Sequence, residues 1–241
     1  MAIREYVKRV FPGTAEEFCA VAGKAMLEEK RLFVITANPE ILMHAGDDPA
    51  IRKMLLEEST AVVPDGISVV KAMNLLGYPA KERITGVDLA DKLLKLAGEK
   101  GKSVYLLGAK EEVVSALAEK LKAQYPQITV RYKNGYGKDK DADFQEIVKA
   151  QPDLVLVALG VPAQELLIAR HLEKFQKGVF IGVGGSFDVL SGSKRRAPAF
   201  FVRTNTEWLY RILREPSRLG RFYRNNVKFL GQVRKEAKGR P

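Results

Sequence analysis

The chain has 241 residues, of which 46% are hydrophobic and 29% charged, the balance of a globular protein with a sizeable core. A single cysteine, Cys19, excludes an internal disulfide bond, and no apolar run approaches the ~20 residues that a membrane span requires, so we expect a cytoplasmic protein. The net charge is +11, and the whole excess lies late in the chain: residues 1–192 contain 26 basic and 26 acidic side chains, whereas residues 193–241 contain 14 and three.

Strands and helices alternate along the first 192 residues. The predicted helices cover residues 15–29, 67–76, 89–99, 111–124, 141–150 and 164–175, and a further one starts at Pro49. The predicted strands cover residues 32–36, 61–63, 103–107, 128–132, 154–159 and 179–183. Because the two kinds of element alternate, we predict an α/β fold with a mostly parallel, Rossmann-like sheet flanked by helices.

The composition of the sequence becomes strongly basic after Ser191. A basic loop over residues 194–198 precedes a predicted helix over residues 206–214, and a second helix follows from Ser217. This second helix is amphipathic and rich in arginine. We therefore divide the chain into an α/β catalytic domain, residues 1–192, and a basic helical arm, residues 193–241. The charge of the arm predicts an anionic partner, for which nucleic acid, anionic lipid and a diphosphate are the candidates.

Asp65 stands where a buried strand passes into a helix. Pro64 ends the strand, and the helix begins at Ile67. In parallel α/β folds ligands bind at the carboxyl ends of strands, so a carboxylate fixed there is well placed to act as a general base. The alternative is that Asp65 only caps the helix that follows it.

Other polar residues follow strands in the same way. Thr36 and Asn38 come at the end of the first strand, where they either bind sugar hydroxyls or form a turn. Gln164 follows the strand over residues 154–159, and its alternative role is to cap the next helix. Arg83 could bind a diphosphate with two parallel hydrogen bonds, or it could form a salt bridge to a surface carboxylate.

The glycines after the last strand indicate a nucleotide site rather than a dehydrogenase. Gly182, Gly184 and Gly185 lack the full G-x-G-x-x-G spacing, but such a turn allows a diphosphate to approach backbone N–H groups. The sequence contains no P-loop. The two histidines, His44 and His171, lie far apart with no cysteine pair near them, so we expect no metal site and no cofactor.

Five short blocks together resemble one family. They are T-x-N-P-E (36–40), P-D-G with G-x-P-x-x-E-R-x-x-G-x-D (64–66 and 77–88), G-x-P-x-Q-E (160–165), G-V-G-G-S-F-D (182–188) and E-W-L-Y-R-I-L-R-E-P-x-R (207–218). In this order they resemble the WecG/TagA/CpsF family of bacterial glycosyltransferases. The resemblance covers about residues 32–223.

The resemblance implies an inverting glycosyltransferase without a metal. It would transfer N-acetylmannosamine from UDP to the 4-hydroxyl of N-acetylglucosamine on undecaprenyl diphosphate, a step of wall teichoic acid synthesis. Relatives that use glucose or N-acetylmannosamine uronic acid leave the donor open. Asp65 would be the base, Thr36, Asn38 and Gln164 would orient the sugars, and Arg83 would meet the diphosphate. The further residues expected to bind substrate are Gly135, Tyr136, Gly184, Gly185, Asp188, Arg214, Arg221 and Arg224.

The lipid tail of such an acceptor stays in the bilayer. The resemblance therefore implies a peripheral protein on the inner face of the plasma membrane, held there by its basic arm, with no nucleic acid partner; a homo-oligomer is compatible with it. The competing interpretation is a non-enzymatic nucleic-acid binder, in which Trp208, Tyr210, Phe222 and Tyr223 would stack on bases. The same aromatic residues fit a membrane interface equally well.

Overall fold

The structure, a computed structural model, describes residues 2–239 apart from the side chains of Arg218 and Arg221. Over that range the chain forms six strands and thirteen α-helices, with one 3-10 turn at Leu172–Lys174. The strands are β1 (Arg31–Ala37), β2 (Thr60–Pro64), β3 (Ser103–Gly108), β4 (Thr129–Lys133), β5 (Leu154–Ala158) and β6 (Gly178–Gly182). The helices are α1 (Ile3–Lys8), α2 (Ala15–Leu27), α3 (Pro39–Asp47), α4 (Pro49–Leu56), α5 (Ile67–Leu76), α6 (Gly86–Glu99), α7 (Glu111–Gln124), α8 (Lys140–Ala150), α9 (Ala163–His171), α10 (Ser186–Leu190), α11 (Ala199–Arg203), α12 (Glu207–Arg214) and α13 (Arg218–Lys238).

The strands form one sheet in the order β2-β1-β6-β5-β3-β4, and every neighbouring pair is parallel. The predicted α/β, Rossmann-like class is confirmed. Because all strands run the same way, their carboxyl ends meet at one edge, and β1 and β6 lie side by side although more than 140 residues separate them in the chain. Residues from distant blocks of the sequence are thereby brought to the same edge.

Each face of the sheet is covered by its own apolar core. Alternate side chains of β1 point to opposite faces, so Phe33 and Ile35 join one core and Val34 the other. Helices α1, α3, α4, α5, α8, α9 and α13 cover the first face, and α2, α6, α7 and α10 cover the second. Strands that are buried on both faces have continuous apolar sequences, as residues 154–159 have.

The last helix of the arm is part of this body over its second half. Phe229 and Val233 of α13 are fully buried in the first core. Glu236 accepts hydrogen bonds from the backbone N–H groups of Ile3 and Arg4, at 2.7 and 2.9 Å, and so binds the start of α1. By contrast, Leu219 and Tyr223 near the start of α13 are exposed. The apolar residues of α13 therefore fall into two groups. Those in its second half pack into the core of the body, and those near its start are exposed to solvent.

Local capping explains two departures of the structure from the predicted elements. Helix α6 begins at Gly86 rather than residue 89, because the Thr85 hydroxyl accepts a hydrogen bond from the Asp88 N–H at 3.2 Å. Asn38 similarly starts α3, a helix that the sequence pattern did not predict. A capping box formed by Thr14 and Glu17 starts α2. Within residues 2–239, no helix is both long enough and apolar enough to cross a membrane.

Candidate active site

A cavity of about 590 Å³ lies at the carboxyl ends of β2, β1 and β6. Its body side is built from the turns after these strands and from the start of α6. Its other side is built from the arm, by one face of α12 and the first half of α13. The cavity is therefore shared by the α/β body and the basic arm. The residues that line it include Asn38, Asp65, Arg83, Glu207, Trp208 and Arg211.

Asp65 lines this cavity directly after β2. Its backbone N–H donates to the Ala37 carbonyl at 2.9 Å, which ties the turn after β2 to the end of β1. Its carboxylate accepts a hydrogen bond from the backbone N–H of Gly86, at the start of α6. Gly66 occupies the N-cap of α5, and no side chain caps that helix. Asp65 is therefore not a helix cap, and its carboxylate faces the cavity.

The surroundings of Asp65 raise its pKa from 3.8 to about 6. Burial is the main cause, since it disfavours the charged form. The positive charges of Arg83 and Arg211 and the hydrogen bond from Gly86 oppose this effect, and the negative charge of Glu207 adds to it. A carboxylate with a pKa near 6 is ionised at neutral pH and is more basic than an ordinary aspartate, as a general base should be.

Arg83 forms a buried ion pair with the arm. Its Nη2 donates to Oε2 of Glu207, at the start of α12, and the two side chains are only 11% and 7% exposed. The salt bridge considered for Arg83 from the sequence is therefore present, but its partner is a buried carboxylate 124 positions away rather than a surface one. Arg83 still lines the cavity.

Arg196 extends this ion pair into a network. Its Nε donates to Oε1 of Glu207 at 3.3 Å, and its Nη2 donates to Oδ2 of Asp88 at 2.8 Å. Burial alone would raise the pKa of Asp88, but the hydrogen bonds from Arg196 and Thr85 outweigh it and hold that pKa below its usual value. Two arginines and two carboxylates thus join the loop before α6 to the arm.

Thr36, Asn38 and Gln164 shape the loops around the cavity. The buried hydroxyl of Thr36 donates to the Gly182 carbonyl at 3.1 Å and so joins the ends of β1 and β6. Asn38 lines the cavity while its Oδ1 caps α3 through the Ile41 N–H. Oε1 of Gln164 accepts from the N–H groups of Gly160 and Gly184, which joins the turns after β5 and β6.

The glycine turn after β6 is packed closely against Gln164 and its neighbour. A Cβ at Gly182 would lie 2.6 Å from Nε2 of Gln164 and 2.7 Å from Oε1 of Glu165, so a larger residue there would displace these two buried side chains. Gly184 adopts a positive φ of 50°, which glycine tolerates best. Gly185 lines the cavity, whereas the Gly184 N–H is already bound to Gln164. Burial raises the pKa of Glu165 to about 7.

The arm supplies aromatic and amide groups to the cavity. The rings of Trp208 and Phe222 are stacked, with centroids 4.5 Å apart and planes 8° from parallel. Asn225 and Asn226 of α13 lie beside them, and the Ser68 hydroxyl donates to Oδ1 of Asn226 at 2.8 Å. Flat apolar surface beside a few fixed polar groups is the usual composition of a small-molecule site.

Several residues predicted to bind substrate lie outside the cavity lining. Gly135 and Tyr136 follow β4, at the opposite edge of the sheet from β2. Asp188 on α10 pairs with Lys194 at 3.3 Å. Arg214 and Arg224 are exposed on the arm, and the side chain of Arg221 lies outside the described residues.

Nearly the whole chain matches one protein family. The model of the family "Glycosyl transferase WecG/TagA/CpsF family" matches residues 7–241. The chain belongs to this family. Its members include proteins named N-acetylglucosaminyldiphosphoundecaprenol N-acetyl-beta-D-mannosaminyltransferase. One from Bacillus spizizenii is 41% identical over 192 residues, which is 79% of this chain and 74% of that protein. Those from Bacillus subtilis and Staphylococcus aureus are 39% and 40% identical, covering 86% and 79% of this chain and 80% and 75% of their own.

Membership in the WecG/TagA/CpsF family decides between the two classes of protein that the sequence left open, a glycosyltransferase and a non-enzymatic nucleic-acid binder. The protein is a glycosyltransferase, and the arm is part of the enzyme's cavity rather than evidence for a nucleic-acid binder. In the part of the chain that the structure describes, no group of three or more His, Cys, Asp or Glu side chains is arranged to hold a metal ion.

Sequence reasoning missed the residues of α12 that face the cavity. They are Glu207, Trp208, Arg211 and Ile212, together with Glu215 directly after the helix. These positions recur with the spacing of one helix face, so the pattern was present in the sequence. What the sequence could not supply is which face of α12 turns inward, because that depends on the distant contact between Glu207 and Arg83.

Proposed function

We propose that this glycosyltransferase transfers N-acetylmannosamine from UDP-N-acetylmannosamine to the 4-hydroxyl of N-acetylglucosamine on undecaprenyl diphosphate. The names of the relatives that cover about four fifths of the chain support this donor sugar and acceptor. The product would enter wall teichoic acid synthesis. The observation that carries the proposal is the carboxylate of Asp65, which lines the cavity with a pKa of about 6.

Asp65 would act as the general base of a single displacement. Its carboxylate takes the proton of the acceptor 4-hydroxyl as that oxygen attacks C1 of the donor sugar. The bond between C1 and the UDP oxygen breaks as the new glycosidic bond forms, which inverts the configuration at C1. The proton ends on Asp65, and the electron pair of the broken bond leaves with UDP.

Negative charge develops on the UDP oxygen as it leaves. Arg83 and Arg211 line the cavity and supply positive charge close to Asp65. Charged groups of this kind, fixed before the reaction, stabilise a developing oxyanion without reorganisation. We therefore expect transfer to proceed without a divalent metal ion.

The arm would also hold the enzyme at the membrane that contains the acceptor lipid. Leu213 and Tyr223 are 66% and 65% exposed, and Phe200, Leu209 and Leu219 are exposed as well. Basic residues such as Arg214 and Arg224 accompany them. Apolar side chains that enter the interface and cations that meet anionic headgroups act together, at about 1 kcal/mol for each basic residue near the surface.

The direct test supplies the enzyme with several UDP-sugars and a short-chain lipid-diphosphate-N-acetylglucosamine acceptor. The donors are the UDP derivatives of N-acetylmannosamine, N-acetylglucosamine, glucose and N-acetylmannosamine uronic acid, and release of UDP is the readout. We expect UDP-N-acetylmannosamine to be preferred and the product to have the β configuration. A preference for another donor would overturn the sugar assignment, and an α product would overturn the single displacement.

A further inference from the structure

The ion pair between Arg83 and Glu207 has a consequence for Asp65. Arg83 and Asp65 line the same cavity, and Arg83 is the strongest charge acting to lower the Asp65 pKa. Yet among the described side chains none forms an ion pair with Asp65, and the nearly buried Arg83 is bound by Glu207 instead. The guanidinium that acts most strongly on Asp65 is therefore held by a carboxylate of the arm.

The rest of the network fixes Glu207 in this position. Arg196 donates to the second oxygen of Glu207 and holds both oxygens of Asp88. Asp88 is thus occupied by Arg196, and a neutralised Glu207 would release Arg83 to pair with Asp65, which lines the same cavity. A direct salt bridge to Arg83 would stabilise the ionised form of Asp65 and make it a weaker base.

We propose that Glu207 is a positioning residue, which holds Arg83 in an ion pair of its own and so prevents Arg83 from pairing with Asp65. This inference rests on the proposed function, in which Asp65 is the base. It gives the arm a role in catalysis in addition to membrane attachment. When α12 contacts the body, Glu207 binds Arg83 and Asp65 remains a strong base. When α12 moves away, Arg83 pairs with Asp65 and weakens it as a base.

The first test is the pH profile of kcat/KM for Glu207→Gln, which keeps the shape of the side chain and removes its charge. The groups that act on Asp65 are Arg83, Arg211, Glu207 and the Gly86 N–H. The substitution removes the charge of Glu207 and releases Arg83, and both changes lower the Asp65 pKa. We expect the acidic limb to move to lower pH and kcat/KM to fall roughly 10- to 100-fold at its plateau. An acidic limb that stays in place, or moves to higher pH, would overturn the inference.

A double variant separates this role from a structural one. In an Arg83→Gln background Glu207 has no guanidinium to hold, so adding Glu207→Gln should move the acidic limb only by the direct effect of the lost Glu207 charge, clearly less than in the wild-type background. The matched control is Glu236→Gln, which removes another arm carboxylate bound to the body but at the far end of α13. Its acidic limb should coincide with that of the wild type. If Glu207→Gln proves too unstable to assay, Glu207→Asp keeps the charge with a shorter reach and should move the limb less, in the same direction.

A second readout needs no turnover. Asp65→Asn should raise the melting temperature at pH 8 in the wild-type background, because it removes a buried charge that costs free energy. In the Glu207→Gln background the gain should shrink or reverse, because Asp65 then has Arg83 as a partner. In the Glu236→Gln background the gain should persist. An equal gain in all three backgrounds would refute the role of Glu207, whereas a wild type that transfers no sugar would refute only the proposed function.

Discussion

The substitution Asp65→Asn tests the site through both stability and activity. The folded-state pKa of Asp65 is about 6, above its ordinary value of 3.8, because burial disfavours the charge. The folded protein therefore binds more protons than the unfolded chain between about pH 4 and pH 6, and its stability falls as the pH rises through that window. Asparagine carries no charge at any pH, so the variant escapes this loss.

The size of the effect follows from the shift. About two pKa units correspond to roughly 3 kcal/mol at 1.36 kcal/mol per unit, and because Asp65 faces a cavity this is an upper value. At pH 8 we expect Asp65→Asn to be more stable by up to about 3 kcal/mol, on the order of 10 °C in melting temperature at most. At pH 4 and below the two proteins should converge, since Asp65 is then largely protonated in the folded state.

The assay combines thermal unfolding from pH 4 to pH 8 with turnover at pH 8. Turnover should fall roughly 10²- to 10⁴-fold, since the amide cannot accept the proton of the acceptor hydroxyl. Asp91→Asn, an exposed aspartate on α6, serves as the control and should change neither quantity. A variant that is less stable than the wild type at pH 8, or one that keeps near-wild-type turnover, would refute the assignment of a desolvated base.

Three further predictions address the metal, the arm and the core. Chelation should leave transfer unchanged, and loss of activity that Mg²⁺ or Mn²⁺ restores would reveal a metal that the reaction requires. Leu213→Ser combined with Tyr223→Ser should weaken binding to anionic liposomes with little change in melting temperature, since both side chains are exposed; co-sedimentation measures the first quantity. Phe229→Ala should destabilise the protein by about 3–5 kcal/mol in chemical unfolding, because the ring is fully buried, and a loss below about 1 kcal/mol would mean that α13 does not pack there in solution.

Those features of the fold that depend on local sequence could be predicted. The alternation of apolar runs with helical spacing gave the order of the elements, and the sequence P-D-G placed Asp65 at the end of a strand. A parallel sheet then puts that residue at the edge where ligands bind. Capping signals determined several boundaries, and α6 was predicted to start too late because the role of Thr85 as a cap was not recognised.

Features that depend on long-range packing could not be predicted. Arg83 was expected to meet substrate or a surface carboxylate, and only the folded chain shows that its partner is Glu207 of the arm. Arg214 was preferred over Arg211, although Arg211 is the one that lines the cavity, because composition shows that α12 is basic but not which of its faces turns inward. The apolar residues of α13 likewise gave no sign that some would enter the core and others remain exposed.

The contacts of the arm with the body decide how the proposed membrane binding can be separated from catalysis by experiment. A truncation near residue 195 would remove the exposed apolar residues, but it would also remove Glu207, Arg211 and Trp208 from the cavity. It would further expose the surface of the body that Phe229 covers, which invites aggregation or unfolding. Loss of activity in such a truncation would therefore have three explanations.

Point substitutions avoid this difficulty because the residues proposed to bind the membrane and the residues that line the cavity lie on different faces of α12. On α12, Glu207 and Arg211 face the cavity, whereas Leu213 is exposed. If the arm serves catalysis only by holding the enzyme at the bilayer, a water-soluble acceptor should make changes at Glu207 harmless. If α12 also keeps the base free, Glu207→Gln should remain impaired on that acceptor, while the Leu213 and Tyr223 double variant should regain full turnover.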